Sequence, residues 1–168
     1  MGAVTLLSLV GYLVSPRIRE RLGQVPYDVW MKLIGLFSGF SILGALVYQY
    51  LYLSPVCPLC WWQRIFIFPI AIVAAVSVAT RTQTNHFITG IMGTLGLLFA
   101  SYHYYGHFQK YVLGNPFLIP CSTSALEPSC SESPIIIFDF ITIPFMGMLA
   151  LSAIVWLSYL AYQKSQQA

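Results

Sequence analysis

Charge is what this chain has least of. Only 8% of its 168 residues are charged, against about 25% in ordinary soluble domains. No basic run is long enough to follow a nucleic-acid backbone, so nucleic acid is not an expected partner. The first fourteen residues, MGAVTLLSLVGYLV, lack both a basic leader and an evident small-residue cleavage site, and make a poor signal peptide. Apolar residues are plentiful instead: 58% of the chain is hydrophobic. A soluble fold of this size leaves much of its surface in water and cannot hide so much apolar area. Lipid is therefore the expected solvent. Four cysteines fall in two pairs, and composition alone leaves them open as disulfides, metal ligands or buried apolar groups.

Four apolar runs are long enough to cross a bilayer: residues 33–53, 61–80, 86–105 and 135–159. The expected fold is an all-α membrane protein, a bundle of four transmembrane helices in one domain over residues 30–162, with a tail at 163–168. Residues 1–14 would rise about 21 Å as a helix, short of a hydrocarbon core of roughly 30 Å, and are read as an additional interfacial helix. A basic stretch to residue 29 follows. Gly35 and Gly39 give span one a smooth face for a helix contact. Tyr48, Tyr50 and Tyr52 mark an interface, and Ser54-Pro55 ends the span. Pro69 lies inside span two, and Pro144 is expected to kink span four. Asp139, near the start of that span, is a functional candidate as an ionisable group, against the favoured reading of a headgroup-level residue or helix N-terminal charge. The connections are 54–60 and 106–134; within the second, Phe108, Tyr111 and Val112 have the spacing of a short interfacial helix.

The few cations fix an orientation. Arg17, Arg19, Arg21, Lys32, Arg81 and Lys164 fall on one side of these spans, and only Arg64 and Lys110 on the other. The positive side faces the cytoplasm, so both termini are expected there. All four cysteines then lie in the two outer connections, where disulfides persist. Apolar filler would have scattered into the spans, so the placement points to redox chemistry.

Cys57-Pro58-Leu59-Cys60-Trp61-Trp62-Gln63-Arg64 carries the strongest signal. The pair is a C-x-x-C at a helix start, where partial positive charge favours a thiolate. Arg64, four residues past Cys60 and on its face, adds to that and has the geometry to donate to a quinone carbonyl. Its bland reading is a side chain snorkelling to headgroups. Cys121 and Cys130 lie on a Ser- and Pro-rich loop; joined, they would make an exposed disulfide able to exchange with an outside protein, and the bland reading is a static staple.

C-x-L-C-W-x-Q-R-I at the head of span two, the loop pair before span four and FITIPF in span four together resemble the DsbB/BdbC family of quinone-linked thiol oxidoreductases. The likeness covers about residues 30–160 and favours the short-loop, BdbC-like members. It implies an enzyme of the bacterial inner membrane that reoxidises an extracytoplasmic thioredoxin-like thiol oxidase of the DsbA/BdbD type and passes the electrons to ubiquinone or menaquinone. It also implies the disulfides Cys57–Cys60 and Cys121–Cys130. By motif position Cys60 meets the quinone with Cys57 as its partner, Arg64 stabilises the reduced quinone, and Cys121 forms the mixed disulfide with the outside protein. One of His103 and His107 would lie near the quinone. No resident metal is expected.

Two other readings stay on the table. A vitamin K epoxide reductase-like thiol–quinone enzyme places its C-x-x-C after the loop cysteines, the reverse of the order here. A non-enzymatic membrane zinc protein would use the cysteines as ligands.

Overall fold

The computed structural model describes residues 12, 15–51, 56–116, 130, 136–137 and 141–166. The expected interfacial helix at 1–14 lies outside them apart from Tyr12, as do Ser54-Pro55, Cys121 and Asp139. Among the described residues the elements are α1 (Pro16–Gln24), α2 (Tyr27–Leu51), α3 (Pro58–Thr80), α4 (His86–Tyr111), β1 (Ile136–Ile137), β2 (Ile141–Thr142) and α5 (Ile143–Ser165). The long helices run up and down, each packing on its neighbours in order, with α5 closing back on α2. Met31, Ile34, Ile70, Leu151 and Ile154 are fully enclosed between them. Leu36, Phe40, Leu43, Ile72, Val76, Ile91 and Leu98 instead face outward. Such apolar exposure would drive aggregation in water and is the ordinary surface of a helix in lipid.

Three of these helices, α2, α3 and α5, are long and apolar enough to cross a membrane. The fourth, α4, has 26 residues, about 39 Å of helix and ample length. Its apolarity is diluted by Gly90, Gly93, Gly96, Gly106, Thr89, Thr94 and three histidines.

Several expected boundaries move. Span one begins at Tyr27 rather than 33, because a helix start can be polar. Pro58–Cys60 belong to the first turn of α3 rather than to the connection before it. The separate interfacial helix expected around Phe108 is the continuation of α4, which runs unbroken to Tyr111. Among the described residues of the run from 135, one antiparallel pair of two-residue strands precedes the helix, with Ile136 opposite Thr142 and Ile137 opposite Ile141. Pro144 accordingly sits in the first turn of α5, where its missing N–H is not needed. It starts this helix instead of kinking it.

The expected glycine contact of span one is present at Gly35 alone. A methyl group on Gly35 would meet Ala74 at 3.4 Å, but one on Gly39 would meet nothing within 4 Å. The tight seam is between α4 and α5. A methyl on Gly93 would lie 3.1 Å from Val155 Cγ2, and one on Gly96 would lie 3.0 Å from Leu151 and 3.1 Å from Phe66. Overpacking such a seam costs about 1–3 kcal/mol. Gly96→Val should therefore lower the thermal midpoint in detergent clearly, while Gly39→Ala should stay within about 0.5 kcal/mol of the parent. Equal effects would contradict this seam.

The end of the bundle away from the cysteines is fastened by polar contacts. Lys164 Nζ donates to Gly23 O at 2.9 Å, and the Tyr12 hydroxyl donates to Gln163 Oε1 at 2.5 Å. Arg19 lies over the Tyr12 ring at 5.0 Å. The arginine-bearing α1 and the end of α5 thus share one end of the molecule.

Candidate active site

The site is built by the way α3 starts. Cys57 is its N-cap, with extended backbone, and its Sγ accepts from the Cys60 backbone N–H at 3.3 Å. The sulfur does the work that a Ser or Asp oxygen does at most helix starts. Pro58 takes the next position, where proline is preorganised for the first turn. The result holds the two sulfurs 2.8 Å apart as free thiols. Forming the expected disulfide needs a closure of roughly 0.8 Å, to a bond of about 2.05 Å.

The two thiols are not equivalent. With the Cys60 N–H already aimed at it, Cys57 Sγ is the natural acceptor from the Cys60 thiol. That hydrogen bond, helped by neighbouring backbone N–H groups, holds the Cys57 thiol below its ordinary value, against the opposing effect of burial. Position alone had favoured Cys60 as the thiolate. The capping geometry favours Cys57.

Cys130 comes to the same place. It is buried, disulfide-bonded, and packed with Cys57 and Leu59, with Cys60 and Phe99 alongside. Its disulfide partner is neither Cys57 nor Cys60, which are free; Cys121 lies outside the described residues. Cys57 Sγ, a ring nitrogen of His103 and Cys130 Sγ all fall within 4.8 Å of one another.

Both candidate histidines are brought in, and their geometry is specific. His103 and His107 pack edge to face at 4.9 Å on one face of α4, each nearly fully buried. Their Nε2 atoms converge on a single acceptor, the Cys130 carbonyl, at 3.4 Å and 2.8 Å. A carbonyl only accepts, so each Nε2 carries the proton. His103 Nδ1 is then the acceptor for Gln63 Nε2 at 3.3 Å. Gln63 is itself wedged against α5, where a methyl on Gly147 would lie 2.8 Å from its Oε1. A chain of contacts therefore runs from Gly147 through Gln63 and His103 to the backbone of Cys130.

Arg64 faces the opposite way. It is only 9% exposed, so it does not snorkel. Nη1 donates to Gln49 Oε1 at 2.5 Å and Nη2 to Ala45 O at 3.0 Å, both on α2. The guanidinium also lies 5.6 Å from the Trp61 ring centre. On the α4 side of α3, half-exposed Trp62 stacks on Phe99 at 5.3 Å with the rings 7° from parallel. Flat aromatic surface thus lies within a turn of Cys60 on the α4 side, and on the α2 side Arg64 keeps donors beyond the two engaged. A guanidinium and a stacked ring pair are groups that suit the carbonyls and the ring of a quinone.

From the sequence, Gln63 is marked only as a letter of the C-x-L-C-W-x-Q-R-I motif, with no role, and Gln49 and Gly147 are not marked at all. The first two are lone amides within apolar runs, a signal that was available. Gly147 becomes visible only once α3 and α5 are packed.

Comparison with known proteins finds disulfide bond formation proteins. The family model described as disulfide bond formation protein DsbB matches residues 27–161. A probable disulfide formation protein of Coxiella burnetii is 34% identical over 125 residues, covering 74% of this chain and 78% of that one. The SPbeta prophage-derived disulfide bond formation protein B of Bacillus subtilis is 26% identical, over 73% and 78% of the two chains. Disulfide bond formation protein C of the same organism is 27% identical, over 75% and 88%. No solved structure matches significantly.

Proposed function

Because this chain belongs to the DsbB family of disulfide bond formation proteins, oxidoreductases with transmembrane helices, we propose that it reoxidises a secreted thioredoxin-like thiol oxidase of the DsbA/BdbD type and delivers the electrons to ubiquinone or menaquinone. The observation that carries this reading is the meeting of Cys57 and Cys130 within 4.8 Å, flanked by His103. A loop disulfide that were only a staple would have no reason to sit against the C-x-x-C pair.

The relay balances as follows. A partner thiolate attacks Cys121 of the Cys121–Cys130 disulfide and frees Cys130. The partner's second thiol resolves the mixed disulfide, leaving the partner oxidised and both loop cysteines reduced. Cys130 thiolate attacks Cys57 of the Cys57–Cys60 disulfide, forming Cys57–Cys130 and releasing Cys60. Cys121 then displaces Cys57, which restores the loop disulfide and leaves two electrons and two protons on Cys57 and Cys60. A bound quinone supplies a two-electron acceptor that leaves as quinol. Cys60, Arg64 and the Trp62–Phe99 surface are the groups placed to hold it.

The histidines take a different part from the one the family likeness suggests. Both donate to the Cys130 carbonyl, so they position Cys130 for exchange with Cys57. Gln63 sets the His103 tautomer. The proposed sidedness rests on charge: α1 with its arginines, Arg81 and Lys164 lie at the end away from the cysteines, which supports a reading with both termini in the cytoplasm of a bacterial plasma membrane. In this arrangement α4 completes a four-span bundle, its glycine-rich face turned to α5 instead of lipid.

The test is a coupled assay. Purified protein with a reduced thioredoxin-like partner should convert one quinone to quinol for each partner disulfide formed. Partner oxidation with no quinone consumed under anaerobic conditions would refute the assignment.

A further inference from the structure

The residues that meet at the head of α3 also form a soft ligand set. Cys57, His103 and Cys130 are all buried, with their ligand atoms within 4.8 Å of one another. Cys60 Sγ lies 2.8 Å from Cys57 Sγ. We propose that, once the loop disulfide has been reduced, Cys57, Cys60, Cys130 and His103 bind one zinc ion, and that the bound ion arrests the relay until it is removed. The inference rests on the relay above for the step that breaks the loop disulfide.

Three thiolates and an imidazole are a common tetrahedral set for zinc, with bonds of about 2.3 Å to sulfur and 2.0–2.1 Å to nitrogen. Those bonds place neighbouring ligand atoms roughly 3.5–3.8 Å apart. Cys57, His103 and Cys130 therefore have to draw together by about 1 Å at their widest, and the Cys57 and Cys60 sulfurs have to part by about 1 Å, which are side-chain adjustments. The outer contact a ligating histidine needs is already present. With His103 Nδ1 turned to the ion, Nε2–H keeps the Cys130 carbonyl as its acceptor; Gln63 Nε2, which now donates to Nδ1, is the contact given up. The Cys60 N–H at 3.3 Å from Cys57 Sγ supports a metal-bound sulfur there.

Redox state gates the site. Cys130 is disulfide-bonded in this structure, and a disulfide sulfur has no thiolate to offer. Breaking that bond supplies the third sulfur where it stands. Binding then exchanges three thiol protons for one ion and moves no electrons. With its sulfurs coordinated, the pair can neither form Cys57–Cys60 nor exchange with Cys130, so electron delivery stops. A reduced enzyme waiting without quinone would be held in a form protected from oxidation beyond the disulfide.

The probe is cobalt, which reports thiolate coordination through its charge-transfer absorption. Full-length protein in detergent is reduced with a phosphine, desalted anaerobically and titrated with Co²⁺, then with Zn²⁺. The reduced protein should take up one Co²⁺ with a strong sulfur-to-metal band that zinc abolishes, and zinc should shield three of the four thiols from alkylation. The oxidised protein should show no such band. Cys130→Ser and His103→Gln should each weaken uptake by at least about tenfold. Uptake indifferent to the redox state, or unchanged in both variants, would overturn the proposal. Neither quinone nor partner protein is present, so failure here is separable from failure of the coupled assay.

Discussion

Cys57→Ala should abolish turnover in the coupled assay, reducing quinol formation to the uncatalysed background, while the partner still forms its mixed disulfide at the loop. Cys57 occupies the junction of the relay. It caps α3, lies against Cys130 and faces Cys60, and of the C-x-x-C pair it is the thiol grouped with Cys130 and His103 within 4.8 Å. Cys60→Ala should block quinol formation equally, by a different route. The Cys57 thiol would still reach Cys130, so exchange between the pairs survives and delivery fails. A single-turnover experiment separates the two: Cys60→Ala should still lose its original loop disulfide, and Cys57→Ala should keep it when no partner is present. Identical thiol patterns in the two variants would contradict the assigned order.

Arg64→Ala should raise the apparent KM for quinone by about 10- to 100-fold, leaving the KM for the partner protein unchanged. A hydrogen bond from a charged donor contributes about 1.5–3 kcal/mol, and ten- to hundredfold corresponds to roughly 1.4–2.7 kcal/mol. The side chain also bolts α3 to α2 through Gln49 and Ala45, and that second duty needs its own control. Gln49→Leu removes one anchor and retains the cation. It should leave quinone affinity within a few-fold of the parent. Equal losses toward quinone and partner in Arg64→Ala would mark the residue as purely structural.

The parts of this site that are legible in the chain are those set by local physics. C-P-L-C directly before an apolar run reads as lying at a helix start; that Cys57 caps the helix and Pro58 opens its first turn comes from the structure. His103 and His107 share a face because four residues make about one turn, and both are buried together. What they face was not legible, since Cys130 arrives from a connection 23 residues further along. Gln63 belongs to the same case: its partners are on α4 and α5.

Boundaries failed where apolarity and helix diverge. Residues 135–142, IIIFDFIT, are as apolar as a span but β-branched, and hydropathy does not separate a buried strand from a helix. The start of α2 went unseen because Asp28 and Lys32 interrupt the apolar run without interrupting the backbone ladder. Helix α4 continued past its apolar stretch for the same reason, carrying His107 with it.

The account turns on direct exchange between Cys57 and Cys130, and Cys60→Ser isolates that step. In this variant Cys57 keeps its thiol but cannot pair with its neighbour. Its attack on Cys130 forms a Cys57–Cys130 disulfide and leaves Cys121 as the free thiol. The protein should be purified without reductant, alkylated, digested and examined by mass spectrometry under non-reducing conditions. The account predicts a peptide linking Cys57 to Cys130 together with alkylated Cys121. Alkylated Cys57 beside an intact loop disulfide, or a link from Cys57 to Cys121, would contradict it.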